Sequence, residues 1–196
     1  MAAMELVGDD NDPCSIPAHR HHTINLKVVK NPMTTKAAFS TDEWNLLRSV
    51  PAILAAGVST ADPSGLFGSL KEAAGGMKGM VDGLKEATGV ELAQAILEDR
   101  SMPGMPDPKS LLGEGNREEQ MANLRKATFE QVKKSVDLLG SKATPEETTA
   151  YKSMLMKVAD AAANASKEGG FLGIGGERVS AAEQNYLDEL KGVLIV

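Results

Sequence analysis

Glycine recurs every fourth residue at Gly75, Gly79 and Gly83, inside a stretch (66–88) otherwise patterned for a helix. Each mid-helix glycine costs about 0.8–1 kcal/mol relative to alanine, so a helix here needs close backbone packing or useful flexibility to offset them. At about 100° per residue, Leu66, Leu70, Ala73, Met77, Met80, Val81 and Leu84 fall on one side, flanked by Lys71, Lys78 and Lys85. The three glycines lie largely opposite, near Glu72, Asp82 and Glu86. A small residue at every fourth position lets helix backbones approach closely. The stripe predicts a tight contact with a helix of this chain or of a second copy; the alternative is a loosely ordered amphipathic segment. Contact would make alanine at these positions destabilising, whereas solvent would make it stabilising by about 0.4–1 kcal/mol.

Composition points to helix throughout. Aromatic residues are 4% of 196, and alanine and leucine dominate the apolar set; strands favour aromatic and β-branched residues instead. A net charge of −6 argues against nucleic acid as a partner, because phosphate neutralisation needs a basic patch. A lone cysteine, Cys14, allows no internal disulfide. No apolar run approaches the roughly 20 residues of a membrane span, and no secretory pattern opens the chain. These features describe a soluble, acidic, cytoplasmic protein.

Residues 1–38 read as a disordered N-terminal extension. Asp9-Asp10-Asn11-Asp12-Pro13 is polar and turn-prone, and His19-Arg20-His21-His22 holds every histidine in a tail with no groups to orient them as metal ligands. The helical domain, 39–196, opens at Ser40-Thr41-Asp42-Glu43, where polar residues can cap and acids face the positive helix end. Trp44, Leu47, Leu54 and Val58 share one face of the first helix, and Pro51 is expected to kink or divide it. Val90–Arg100 is a short third helix. Residues 101–116 hold Pro103, Pro106 and Pro108 and read as a loop, mobile unless Met102, Met105, Leu111 and Leu112 dock. A fourth helix from Arg117 ends at Gly140, a good terminator. Thr144-Pro145-Glu146-Glu147 opens a fifth, with Glu146 and Glu147 expected to face water. A sixth runs from Ala181 to Leu194.

The segment between the last two helices is glycine-dense from Gly169 to Gly176, with Phe171, Leu172 and Ile174 interspersed. It predicts an apolar-tipped loop ending in a capping box, Ser180-Ala181-Ala182-Glu183. The loop echoes an earlier one: Gly65 matches Gly170, an apolar pair follows each, and Gly68 matches Gly173. The chain is therefore read as an all-α single domain of five to six helices, built as a duplicated helical hairpin with glycine loops.

No motif carries chemistry. Counting a dinucleotide fingerprint from Gly173 and Gly175 puts Arg178 where a third glycine belongs, and Gly175 is followed by Gly176 and Glu177 rather than a P-loop lysine. No Gly-x-Ser-x-Gly elbow occurs, and no histidine lies in the helical domain to act as base. Catalytic, cofactor-binding and metal-binding residues are all read as none.

The run Gly170-Phe171-Leu172-Gly173-Ile174-Gly175-Gly176-Glu177-Arg178-Val179-Ser180-Ala181-Ala182-Glu183 resembles the C-terminal signature of a family of small, uncharacterised bacterial all-helical proteins. That resemblance implies a fold and no activity. Gly176, Val179, Ser180 and Glu183 also resemble the repeated segment of TerB-like tellurite-resistance domains, with one extra residue between glycine and valine. Gly175 stands where that family places an aspartate thought to serve metal binding. The expected function is a non-enzymatic protein-interaction or scaffold module, engaging a protein partner or itself. Its expected surface is Gly75, Gly79 and Gly83, or Gly170, Phe171, Leu172, Gly173 and Ile174. The alternatives are a TerB-like stress-response or metal-associated domain, and peripheral membrane attachment through the 66–88 helix, a partner that its acidic residues disfavour.

Overall fold

In the computed structural model, residues 34–61, 69–165 and 179–195 are described, with side chains for all of them except 69–73. A 3-10 turn at Lys36–Ala38 precedes seven α-helices: α1 (Thr41–Ser59), α2 (Ser69–Glu86), α3 (Glu91–Glu98), α4 (Pro108–Leu112), α5 (Arg117–Lys142), α6 (Pro145–Ala165) and α7 (Ala181–Ile195). The described residues contain no strand. The protein is all-α, with seven α-helices among the described residues instead of five to six. The additional one is α4, inside the stretch expected to be loop. Asp107 caps it by accepting from Lys109 N at 3.1 Å, and Pro108 supplies a helical φ at its first position. Both glycine loops compared for the repeat, 62–68 and 166–178, lie outside the described residues.

The predicted face of α1 is the inward one: Trp44, Leu47, Leu54 and Val58 are buried. They meet Val132 and Leu139 of α5, Met154, Leu155 and Val158 of α6, and Tyr186 and Leu190 of α7 in one cluster. Pro51 does not divide α1, which is continuous through it. Proline lacks the N–H that would bond to the carbonyl four residues earlier, at Leu47. The Tyr151 hydroxyl of α6 donates to that Leu47 carbonyl at 2.8 Å, so the vacancy within α1 becomes a bond between helices. Burial pushes the Tyr151 phenol up from its ordinary range, keeping the donor proton in place.

The glycine stripe of α2 faces α6. A Cβ on Gly75 would lie 2.6 Å from the Ala165 Cβ and 2.7 Å from the Ala161 carbonyl oxygen. One on Gly79 would lie 2.5 Å from the Lys157 carbonyl oxygen, and one on Gly83 would lie 2.9 Å from the Met154 Cα. The contacts descend α6 as they ascend α2, so the two helices run antiparallel. Burial on α2 follows Gly76, Gly79, Gly83 and Leu84, while Met77 is 48% exposed. The side expected to face the core is thus turned partly to solvent, because the small-residue side allows the closer fit. Gly140 does not end α5, which continues to Lys142; its backbone is outside the positive-φ set of Gly89, Gly113 and Gly115.

The arm that precedes α1, residues 34–39, packs with the helices and so falls on the domain side of the expected boundary. Thr34 is buried, its N–H donates to Glu147 Oε1 at 2.8 Å, and its hydroxyl donates to Glu147 Oε2 at 2.7 Å. Glu147 is therefore buried instead of facing water, and it also accepts from Thr144 N at 2.8 Å as the cap of α6. Residues 1–33, including the histidine cluster and Cys14, lie outside the described residues.

Tyr186 offers a contrast to Tyr151. Its hydroxyl is buried without a hydrogen-bond partner among the described residues, beside Thr128, whose own proton goes to the Leu124 carbonyl at 2.8 Å. Tyr151→Phe is predicted to cost about 1–3 kcal/mol, because the Leu47 carbonyl loses its partner. Tyr186→Phe should cost less, under about 1 kcal/mol, because no backbone carbonyl depends on its hydroxyl for a partner. Urea unfolding of both variants checks this; equal losses would contradict the assignment.

Candidate interaction site

Three segments converge beside the N-terminus of α1. The first is the arm, where Phe39 is buried and its ring packs against Trp44 at 5.8 Å between centroids. The second is α1 itself. Ser40 and Glu43 form a reciprocal capping box, and Lys142 of α5 reaches Glu43 at 2.6 Å and the Ala38 carbonyl at 3.3 Å. Trp44 and Arg48, one helical turn apart, project from the same side of α1. The third is the segment after α3, which opens on Asp99.

Asp99 joins all three. Its Oδ2 accepts from Lys36 Nζ and from Trp44 Nε1, both at 2.8 Å. Its Oδ1 accepts from Ser101 Oγ at 2.5 Å and Ser101 N at 3.0 Å, and lies 3.4 Å from Arg48 Nη1. Lys36 first, then Ser101 and Trp44, hold the Asp99 carboxyl well below the usual carboxylate range. Arg48, only 8% exposed, donates from Nη2 to the backbone carbonyls of Asp99, at 2.7 Å, and of Ser101. A guanidinium suits this task because its fixed fork reaches several acceptors at once.

Beyond the clamp, Asn45 Oδ1 accepts from Gly104 N at 3.2 Å. From Met102 to Asp107 the chain makes neither turn nor bend. Burial there repeats every third residue: Pro103 and Pro106 are half-buried, whereas Met102 and Met105 are 89% and 51% exposed. An extended chain with three residues per turn gives that period. The prolines are the more covered residues and the methionines stand outward, so of the four residues whose docking would hold the loop, Leu111 and Leu112 are half-buried on α4 and Met102 and Met105 are exposed. The result is a two-methionine ridge fixed at its base.

Beside the ridge lies a cleft of about 380 Å³, lined by Lys36, Ala37, Phe39, Ser40, Thr41, Trp44, Asn45, Arg48 and Ser101. Its volume is within the range of ligand pockets. The Asp99 oxygens, the Ser101 hydroxyl, the Arg48 guanidinium and the Lys36 ammonium are all bonded within the fold, so the cleft offers shape and aromatic edges. A second cleft, about 410 Å³ between α5 and α7, is occupied along its wall by Arg125. That guanidinium lies 4.8 Å from the Tyr186 ring and 5.5 Å from the Phe129 ring and pairs with Glu189.

Of the residues expected to form an interaction surface, Gly75, Gly79 and Gly83 are covered by α6. Gly170, Phe171, Leu172, Gly173 and Ile174 lie outside the described residues. Among the described residues no three His, Cys, Asp or Glu side chains gather as metal ligands, and no helix is long and apolar enough to cross a membrane. The Met102–Met105 ridge had a legible signal, Met-Pro-Gly-Met-Pro, in which two prolines share the three-residue spacing of the methionines. The Asp99 clamp had none, because Lys36, Trp44 and Arg48, which close it, are 51 to 63 residues away along the chain. No family model, no curated protein and no solved structure matches the chain.

A carboxylate with a lowered folded pKa stabilises the fold above its unfolded value, about 3.9 for aspartate, and that contribution fades as pH falls towards the folded value. Asp99 is such a group. Asp99→Asn is predicted to lower the melting temperature at pH 7, with the gap from wild type narrowing from pH 5 to pH 2. Thermal melts followed by the emission of Trp44, the sole tryptophan, measure that gap. A gap independent of pH would show that the ionised carboxylate is not what holds the clamp.

Proposed function

We propose that this protein is a non-enzymatic interaction or scaffold module of the cytoplasm that engages a protein partner through the Met102–Met105 ridge and the cleft beside it. The observation that carries this reading is the ridge. Two thioethers stand outward on a segment that Arg48, Asp99 and Asn45 hold in place by hydrogen bonds. Methionine is a soft, adaptable contact residue used at protein-binding surfaces, and fixing its backbone beforehand lowers the ordering cost of association. The carboxylates of Glu43, Asp99, Glu119 and Glu147 are each engaged in caps or ion pairs, which supports a holding role over acid–base catalysis.

Peripheral membrane attachment through α2 is the second reading. Its support is Met77, half exposed beside the Lys78–Asp82 pair. Flotation on anionic vesicles separates the two, since ridge variants would leave a membrane contact through α2 unchanged.

The direct test is chemical cross-linking of the full chain in its native cells. Met102→Ser/Met105→Ser should reduce the yield of cross-linked partner at least about tenfold, equivalent to roughly 1.4 kcal/mol of binding, with no change in melting temperature. Lys133→Ser on α5 should leave the yield unaltered. Equal yields from the ridge variant and wild type would refute the ridge as the contact.

A further inference from the structure

We propose that Met102, with Met105 beside it, is a peroxide-oxidised modification site whose conversion turns the ridge from apolar to polar without disturbing the fold. In the reaction the thioether sulfur attacks one peroxide oxygen, the O–O bond breaks and an S–O bond forms. One hydrogen peroxide and one methionine give one methionine sulfoxide and one water; sulfur loses two electrons and the peroxide gains them. Oxidation of methionine makes a flexible apolar side chain polar, and susceptibility follows exposure.

The described methionines differ sharply in exposure. Met102 is 89% exposed and Met105 51%, Met80, Met121 and Met156 are half-buried, and Met154 is 0% exposed in the core. Met77, at 48%, shares Met105's exposure but lies on α2, away from the clamp. What sets the ridge apart is that its attachment does not run through sulfur. Arg48 holds the carbonyls of Asp99 and Ser101, Asn45 holds the Gly104 N–H, and Pro103 and Pro106 are half-buried. None of those hydrogen bonds uses a sulfur, so an oxygen added to either one leaves them in place. The same addition at Met154 would place a polar group among Leu155, Val158 and the rest of the core.

The chemical site stands on exposure and anchoring alone. Its regulatory consequence, loss of an apolar partner contact, rests on the interaction reading above.

The test treats the full chain with hydrogen peroxide and follows each methionine by peptide mass spectrometry, alongside Met102→Leu/Met105→Leu, which keeps the bulk and removes the sulfur. Met102 should oxidise fastest of the described methionines, at least about tenfold faster than Met154, in line with their exposures. The oxidised wild type should keep its melting temperature and elute earlier in hydrophobic-interaction chromatography, while the leucine variant, which retains Met77, shows a smaller shift. Oxidation of Met102 no faster than that of Met154 would overturn the site. So would a melting-temperature loss confined to wild type, which would make the ridge sulfurs structural. Should the site oxidise as expected while the cross-linked partner yield stays constant, the regulatory consequence is overturned and the interaction reading fails with it, but the modification site stands.

Discussion

Backbone-to-backbone packing of α2 on α6 is the constraint on which the other placements depend. Helices separated by ordinary side chains leave room for them; here the Gly79 position would bring an added carbon within 2.5 Å of a carbonyl oxygen on α6. α6 also contacts α1, α3, α5 and α7, and α2 also contacts α1 and α3. Moving α2 outward by one methyl group would therefore displace α3, whose C-terminal end leads directly into Asp99. The propensity cost of the glycines is offset by this fit, since a gap of about 0.5–1 Å already forfeits roughly a quarter to a half of each dispersion contact.

The second dependence is polar. Pro51 leaves a carbonyl of α1 without its usual donor, and Tyr151 of α6 supplies one from inside the core. Glu147 acts at the other end of α6, binding Thr34 and capping the helix with the same carboxylate. Burial opposes its charge, but the hydrogen bonds from Thr34 and Thr144 outweigh that and keep the carboxyl below its ordinary range. The arm, α1 and α6 are thus joined by groups whose satisfaction depends on one another, which fixes the place where the Asp99 clamp and the methionine ridge are presented.

Local patterns in the sequence were legible wherever a few neighbouring residues decide the outcome. The caps at Ser40–Glu43 and Ser180–Glu183, the inward face of α1 and the all-helical class follow from spacing and capping chemistry alone. Orientation was harder. The 3.6-residue period separated the glycine face of α2 from its apolar face, but only the presence of Ala161 and Ala165 on α6 decides which one turns inward. Pro51 carried a correct local penalty whose remedy, Tyr151, is 104 residues away. The Asp107-Pro108 start of α4 was visible as cap chemistry and hidden by the prolines around it. Glu147 resembled a solvated helix residue because nothing in its neighbourhood shows that Thr34 returns to bind it. The clamp and ridge share this limit: the exposure of Met102 depends on Arg48, Asn45 and Asp99 meeting from separate segments.

The most direct test of the α2–α6 contact compares two alanine substitutions in helix interiors, Gly79→Ala and Gly140→Ala, by urea unfolding. At Gly140 an added Cβ meets nothing within 4 Å, so alanine should stabilise by about 0.4–1 kcal/mol through helix propensity and a less free unfolded chain. At Gly79 the same carbon meets the α6 backbone, and overpacking should outweigh that gain, giving a net loss of about 1–3 kcal/mol. Opposite signs at the two positions are the predicted result. Stabilisation at both would contradict close packing of α2 on α6.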